Sequence, residues 1–352
     1  MDTAAHAPKR LVVVGASAGG LEAVMDLVAD LPAGFAAAVL VVIHTGPSGP
    51  SFLAEILNRA SVLPVSEAVD GEALRSGHIY VATPDRHLLV QDGAIAVKRG
   101  PRENRFRPSV DALFRSAAYT HGAEVIGVIL SGMLDDGTSG LWTVKRLGGV
   151  SVVQTPSDAL YDAMPRSALD HVEVDYVLPV AGIGALLARL VQEPPASLSP
   201  PLEQSEQRRL EVEVKTAAEH DAFELGWMHL GALSPLTCPE CRGVLLQVQE
   251  GRRTRYRCHT GHAYTATSLR DSLDESVESA LYQALRSLEE AAMLFGHLEQ
   301  QEHALGNGAA AQHFHGRAQQ AWQIARQIQA ISARTLVPQL DQPAMQERRE
   351  DS

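Results

Sequence analysis

Three kinds of polar side chain stand where apolar runs of this chain stop. Ser17 follows Leu11–Val14 and Gly15, His44 follows Ala37–Ile43, and the pair Asp135 and Asp136 lies in the loop after Glu124–Leu130. A serine hydroxyl is a poor nucleophile until a base takes its proton, and an imidazole titrates in the right range to do so. A carboxylate then fixes the imidazole tautomer and stabilises the imidazolium. Together these residue types are the chemistry of ester or amide hydrolysis through an acyl-enzyme. The segment Gly15-Ala16-Ser17-Ala18-Gly19 also matches the G-x-S-x-G turn that exposes a nucleophile between a strand and a helix.

Each residue also has a plainer reading. His44 can be a satisfied strand-end histidine, and Asp135 or Asp136 can cap the helix after Gly137. A glycine-rich turn after a first strand also opens dinucleotide domains, but Gly19 is the first glycine after Gly15, so no G-x-G-x-x-G is present. No Gly-Lys-Ser/Thr follows either, which excludes a nucleotide P-loop.

A second constellation lies far downstream. Cys238-Pro-Glu-Cys241 and Cys258-His-Thr-Gly-His262 contain all three cysteines of the protein. Zinc takes four tetrahedral ligands from thiolate and imidazole, and C-x2-C supplies two from one tight turn. Cys258 gives a third, with His262 the expected fourth and His259, adjacent to Cys258, the strained alternative. A redox C-x-x-C is the rival, but no thioredoxin-like βαβ pattern surrounds it. Arg242, Arg252, Arg253, Arg255 and Arg257 make this module basic without the aromatic series that stacks nucleic-acid bases.

Residues as distant as Ser17, His44 and Asp136 meet only if strands carry them to one edge. The first half alternates β-branched runs with helical spacing. Strands are predicted near Leu11–Val14, Ala37–Ile43, Glu124–Leu130, Val150–Val153 and Val174–Leu178. Helices are predicted at 21–31, 51–57, from Pro108 to about Tyr119, at 141–147 and at 183–191. This pattern predicts an α/β fold with a doubly wound, mostly parallel sheet, whose ligands bind at the carboxyl ends of the strands. Residues 62–99 hold four short strand-like runs separated by Asp70-Gly71 and Asp92-Gly93, which predicts a β-hairpin excursion.

Four blocks closely resemble the bacterial chemotaxis protein-glutamate methylesterases, the CheB family. They are Val14-Gly-Ala-Ser-Ala-Gly-Gly20, Ile43-His-Thr-Gly-Pro-Ser48, Leu130-Ser-Gly-Met-Leu-Asp-Asp-Gly137 and Met164-Pro-Arg-Ser-Ala168. Arg107-Pro-Ser-Val-Asp-Ala-Leu-Phe-Arg-Ser-Ala-Ala118 fits as well. The resemblance implies an esterase that hydrolyses γ-glutamyl methyl esters on chemoreceptors with release of methanol, and a family capacity to deamidate receptor glutamines. It assigns Ser17 as nucleophile, His44 as general base, Asp136 rather than Asp135 as the carboxylate, and the Met133 N–H to the oxyanion hole. Ala18 stands where the family often has threonine, Leu134 where glycine usually follows the methionine, and Ala163 where glycine usually precedes Met-Pro-Arg. Catalysis on this reading needs no cofactor. A catalytically idle scaffold that binds receptors or signalling partners would carry the same blocks, and a reactive-serine probe separates the two.

The resemblance covers about residues 8–193, the expected catalytic domain. The family's familiar members carry a phosphoacceptor receiver before the esterase, and this chain, whose esterase begins near residue 10, is expected to lack one. A Pro-rich linker is expected at 194–204, a charged segment with a Cys3His zinc ribbon at 205–266, a helical hairpin at 267–336, and a disordered tail at 337–352. The ribbon looks like those appended to some stand-alone members of the family. Leu273, Val277, Leu281, Leu285, Leu288, Ala292 and Phe295 stripe one long helix. Phe314, Ala321, Ile324, Ile328 and Ile331 stripe a second, beyond Gly306-Asn307-Gly308. Such a hairpin is expected to serve docking or dimerisation. Arg102, Arg105 and Arg107, within a basic run of an otherwise acidic chain (formal net charge -12), are candidates for steering a glutamate-rich substrate. The acidic balance argues against nucleic acid as partner. The longest apolar run is too short to span a bilayer, and Met1–Pro8 contains no signal-peptide core, so the expected location is the cytoplasm.

Overall fold

The structure, a computed structural model, describes residues 8, 10–44, 52–195, 201–218, 224–251 and 253–335. The proposed tail at 337–352 and the centre of the proposed linker lie outside the described residues. The chain divides between Leu269 and Arg270 into two compact units.

The first unit opens with β1 (Leu11–Ala16), α1 (Gly20–Ala29), β2 (Ala38–Ile43), α2 (Leu53–Ala60), β3 (Val65–Glu67) and β4 (His78–Val81). It continues with β5 (His87–Gln91), β6 (Ala94–Lys98), α3 (Val110–His121), β7 (Val125–Ile129) and α4 (Thr138–Arg146). Then come β8 (Val150–Gln154), α5 (Ala163–His171), β9 (Tyr176–Leu178) and α6 (Val180–Leu190). The main sheet runs β3-β4-β2-β1-β7-β8-β9, and every neighbouring pair is parallel.

The β-branched runs explain this sheet. In β1, Val12, Val14 and Ala16 enter the core shared with α1 and α6, while Leu11 and Val13 enter the opposite core shared with α3 and α4. A strand buried on both faces cannot alternate apolar with polar residues, which is why these segments read as continuous apolar runs. Gly15 is fixed by packing: a Cβ there would lie 2.1 Å from Cγ1 of Val110, at the start of α3. The chain can therefore bring the first turn of α3 against the end of β1.

The excursion expected over 62–99 is smaller than predicted. β3 and β4 belong to the parallel sheet beyond β2, and only β5 and β6 leave it as an antiparallel hairpin. The hairpin signal was Asp92-Gly93, whose φ values of 50° and 76° suit a tight two-residue turn. Short runs such as His78-Ile-Tyr-Val81 say that a strand is buried but not which strand it pairs with. Helix α5 was not predicted; its Pro165 lies in the first turn, where a missing N–H costs little.

Beyond the sheet lie α7 (Gln204–Ala218) and an antiparallel four-stranded sheet, β10 (Ala232–Thr237), β11 (Val244–Glu250), β12 (Arg253–Cys258) and β13 (Ala263–Thr265). This Cys–His module is in the same compact unit as the parallel sheet. A buried ionic cluster joins them. Glu103 of the loop before α3 meets Arg257 of β12 at 2.7 Å, Arg115 of α3 at 3.0 Å and Arg255 of β12 at 3.3 Å. Glu213 of α7 meets Arg115 at 2.9 Å and Arg255 at 3.3 Å, and Glu250 of β11 lies 3.7 Å from Arg255. Three carboxylates balance three guanidiniums, so the cluster is formally neutral, as burial demands.

The second unit holds most of α8 (Ala266–Ala304), which begins at the end of the first unit, and α9 (Gly308–Thr335). Phe295 stacks on Phe314 and His315 lies 3.0 Å from Glu299, so the two helices run back along each other. Their apolar stripes are mostly half-buried, and Val277, Ile324 and Ile331 are exposed.

Burial alone would raise the carboxyls of Glu103 and Glu213, but the facing arginines hold both below the ordinary value. The native state therefore binds fewer protons than the unfolded chain, and the cluster's stabilisation is complete above the unfolded glutamate pKa of about 4.3 and is lost as pH falls below it. Arg257→Ala is expected to cost about 3–5 kcal/mol in urea unfolding at neutral pH. It should also flatten the loss of stability on acidification, because Glu103 loses its shortest ionic contact. A variant as stable as the wild type would show that the cluster does not join the two sheets energetically.

Candidate active site

The parallel order β2-β1-β7 puts the ends of three adjacent strands side by side. Ser17 follows β1, His44 follows β2, and Asp136 lies in the loop after β7. Strand order reverses at β1, so this edge is the crevice where open α/β sheets bind ligands. His44 Nδ1 is 3.1 Å from Ser17 Oγ, and its Nε2 is 2.8 Å from Asp136 Oδ2. An ionised carboxylate only accepts, so Nε2 carries the proton and Nδ1 is left to accept from the serine hydroxyl. The His44 side chain is 4% exposed, and its ring stacks on Phe106 with centroids 3.7 Å apart and planes at 8°.

Asp136 is fully buried and has a donor for each oxygen. Oδ2 accepts from His44 and, at 2.7 Å, from the Val110 N–H. Oδ1 accepts from Asn104 Nδ2 at 2.9 Å, Ser109 Oγ at 3.0 Å and the Asp111 N–H at 3.3 Å. Val110 and Asp111 open α3, whose N-terminal end favours a negative charge. Burial would push the Asp136 carboxyl up, but the bonds from His44, Asn104 and Val110 outweigh it and hold it below the ordinary value. Its neighbour Asp111 goes the other way, pushed up by its own burial and by the Asp136 charge. One Asn104 amide group bridges the two carboxyls, donating also to Asp111 Oδ2 at 2.8 Å.

Asp135, the other member of the pair, faces away from His44. Its oxygens meet Thr265 Oγ1 and Arg253 Nη2, each at 2.9 Å. The structure thus separates two aspartates that composition alone left equivalent.

The loop from Ser131 to Leu134 runs beside Ser17. The Ser17 N–H donates to the Ser131 carbonyl at 3.0 Å, and Ser131 Oγ donates to the Ala18 carbonyl at 2.9 Å. Gly132 has no room for a side chain: a Cβ would lie 2.0 Å from Met164 Sδ and 2.9 Å from Ser17 Cβ. The Met164 N–H donates to the Gly132 carbonyl and the Gly132 N–H to the Tyr161 carbonyl, so the Met-Pro-Arg segment holds this loop in place. Met133 is exposed beside it. Leu134 has a φ of 64°, a left-handed conformation that glycine adopts more cheaply. Met133, Tyr161, Arg166, His171, Arg253 and Thr267 line a cleft of about 800 Å³ next to the loop.

Of the arginines expected to steer substrate, Arg107 is paired with Asp85 at 2.6 Å and donates to the Gly100 carbonyl. Arg102 and Arg105 are half-buried, and the Arg102 carbonyl accepts from the Ala263 N–H. The backbone of this run docks on β13 at Arg102 and Asn104. Sequence reasoning missed Phe106, Asn104 and Ser109, which sit inside that run or just after it. Nothing in the block Arg-Pro-Ser-Val-Asp disclosed that three of its groups, Ser109 Oγ and the N–H groups of Val110 and Asp111, donate to one carboxylate.

Cys238, Cys241, Cys258 and His262 converge so that one ligand atom of each lies within 4.8 Å of all the others. Cys241 and Cys258 sulfurs are 3.5 Å apart, and His262 Nδ1 is 3.7 Å from Cys238 Sγ and 3.5 Å from Cys258 Sγ. A tetrahedron with bonds of about 2.3 Å has edges near 3.8 Å, so this donor set fits one ion. Glu240 lies 3.2 Å from His262 Nε2, the outer carboxylate that often orients a ligating imidazole. His259 is outside this group and packs against Gly243.

Comparison with known proteins places the chain in a family. The CheB methylesterase family model matches residues 12–187. A relative in Leptospira interrogans is 39% identical over 182 residues, covering 51% of this chain and 94% of that protein. The protein-glutamate methylesterase/protein-glutamine glutaminase of Photorhabdus laumondii is 39% identical over 176 residues, 49% of this chain and 50% of the relative. The crystal structure of the Thermotoga maritima CheB methylesterase catalytic domain superposes with a TM-score of 0.50 at 35% identity, covering 51% of this chain and 98% of that domain. With half its length matched by the family and its strand ends carrying the residues described above, the chain belongs to the CheB methylesterase family.

Proposed function

We propose that this protein is a serine esterase that hydrolyses γ-glutamyl methyl esters of methylated chemoreceptors or similar signalling proteins, releasing methanol. The observation that carries this reading is the His44 ring, hydrogen-bonded through one nitrogen to Ser17 and through the other to a buried Asp136. Ser17 Oγ attacks the ester carbonyl as its proton passes to His44 Nδ1. Asp136 accepts from Nε2–H throughout and balances the charge the imidazole gains. The oxyanion of the tetrahedral intermediate faces the Met133 N–H, a kind of donor worth about 3 kcal/mol in the transition state. Collapse expels methoxide, which takes the proton from Nδ1 and leaves as methanol. Water then attacks the acyl-serine with His44 again as base, giving the free glutamate and Ser17. The same steps applied to a primary amide release ammonia, the glutaminase chemistry in the Photorhabdus relative's name.

The four-residue cluster of the C-terminal module is proposed to hold a structural zinc ion. Cys238, Cys241, Cys258 and His262 would be its ligands, and the ion would crosslink the two knuckles without taking part in hydrolysis. The helical hairpin, with its half-buried apolar stripes, is proposed to dock a partner or a second copy. Among the described residues no helix is long and apolar enough to cross a membrane.

Methanol release from methyl-labelled receptor cytoplasmic domains tests the activity. Ser17→Ala should lower it more than about 1,000-fold, and Asp136→Asn should do comparable damage by freeing the wrong histidine tautomer. Wild-type levels of release in Ser17→Ala would contradict the assignment. For the metal, elemental analysis of protein purified without chelator should find one zinc per chain. Cys238→Ser should lose it and melt at lower temperature; metal-free wild type would refute the site.

A further inference from the structure

Asn104 stands between two parts of the molecule that are far apart in sequence. Its Nδ2 donates to Asp136 and Asp111. Its Oδ1 accepts from the Thr265 N–H at 3.1 Å and from Ser268 Oγ at 3.2 Å. Because a backbone N–H can only donate, the amide orientation is fixed: oxygen toward Thr265, nitrogen toward the carboxylates. The Asn104 N–H also donates to the Ala263 carbonyl, which fastens the loop along β13. Asn104 is itself left-handed, with a φ of 49°, a conformation that needs such outside support.

Thr265 and Ser268 form the cap of α8. The Ser268 N–H donates to Thr265 Oγ1 at 3.0 Å, and the Thr265 N–H donates to Ser268 Oγ at 2.9 Å, a reciprocal arrangement across the first turn. Thr265 Oγ1 is also 2.9 Å from Asp135, the residue before Asp136, and Arg253 of β12 holds the other Asp135 oxygen. The cap and β12 thus grip the loop that carries Asp136 from two sides, through Asn104 and through Asp135. All of these groups are buried. Residues 253–268 lie beyond the 12–187 span that the family model matches.

We propose that the C-terminal module is a positioning element of the esterase: Thr265, Ser268 and Arg253 set the Asp136 loop, and through it the His44 ring, in working geometry. The proposal rests on the esterase reading above. It makes this chain's catalytic competence depend on a segment the matched region lacks. An angstrom of drift in Asp136 is enough to matter, since small misplacements of catalytic groups cost up to about 100-fold in rate.

The test is the rate at which a fluorophosphonate inactivates the full-length protein, read as a saturable binding constant and a maximal rate. Thr265→Val removes the hydroxyl that meets Asp135 and caps α8. Its maximal rate should fall about 10- to 100-fold with the binding constant within about 2-fold, and Thr265→Ser should restore it. Arg253→Met leaves the cap intact and should also slow the maximal step, which keeps the test open if Thr265→Val does not fold. Folded variants that react at the wild-type rate, or a Thr265→Ser that stays as slow as Thr265→Val, would overturn the positioning role while leaving the esterase reading in place. A wild type whose Ser17 never reacts would overturn the esterase reading and the proposal with it.

Discussion

The site depends on keeping one carboxylate ionised where water does not reach it. Asp136 has no solvent exposure, and an uncompensated charge there would be lost to protonation. Five donors prevent that, two of them from the opening turn of α3 and one from the histidine it serves. Much of the local architecture follows from delivering those donors. Gly15 and Gly137 leave room for Val110, so that the N-terminal end of α3 can press against the ends of β1 and of the Asp136 loop. Ser109 and Asn104 come with the segment that leads into α3. Asp111, beside this charge, is raised by its own burial and by the Asp136 carboxylate.

That arrangement reaches further than a compact catalytic domain requires. The loop that supplies Asn104 also supplies Glu103, which is neutralised by arginines from α3 and from β12. The Cys–His module is therefore bound to the esterase through a hydrogen-bonded strand edge, a charge cluster and a helix cap. Each contact is a buried polar one, directional and costly to leave half made. Such contacts fix geometry more than they add stability, which suits a module whose neighbours include the carboxylate bonded to His44.

The positions of Ser17 and His44 were legible because each follows a β-branched run, and that of Asp136 because it lies in the loop after another; parallel strands bring these carboxyl ends to one edge. What decides between Asp135 and Asp136 was not legible from composition. Adjacent residues in a loop point in different directions; the family resemblance selected Asp136 by register, and the positions of His44 and Thr265 show which way each carboxylate faces. The charges of the run Arg102–Arg107 did not disclose its contacts: Arg107 is paired with Asp85, and the backbone at Arg102 and Asn104 docks on β13. Asn104 could not be found from sequence, because its oxygen is fixed by a residue 161 positions away. The knuckle spacing, in contrast, was enough to assemble Cys238, Cys241, Cys258 and His262, since each knuckle is local and only their approach is long-range.

The most direct test of this account is the protonation state of the His44 ring, read by nitrogen-15 NMR of histidine-labelled protein at neutral pH. In the neutral form of the ring the proton is expected on Nε2, with a far-downfield Nε2–H resonance that vanishes in Asp136→Asn and a bare Nδ1 whose signal moves when Ser17 is changed to alanine. A ring protonated on Nδ1 and bare on Nε2 would contradict it, because Asp136 would then have no proton to accept and Ser17 no base.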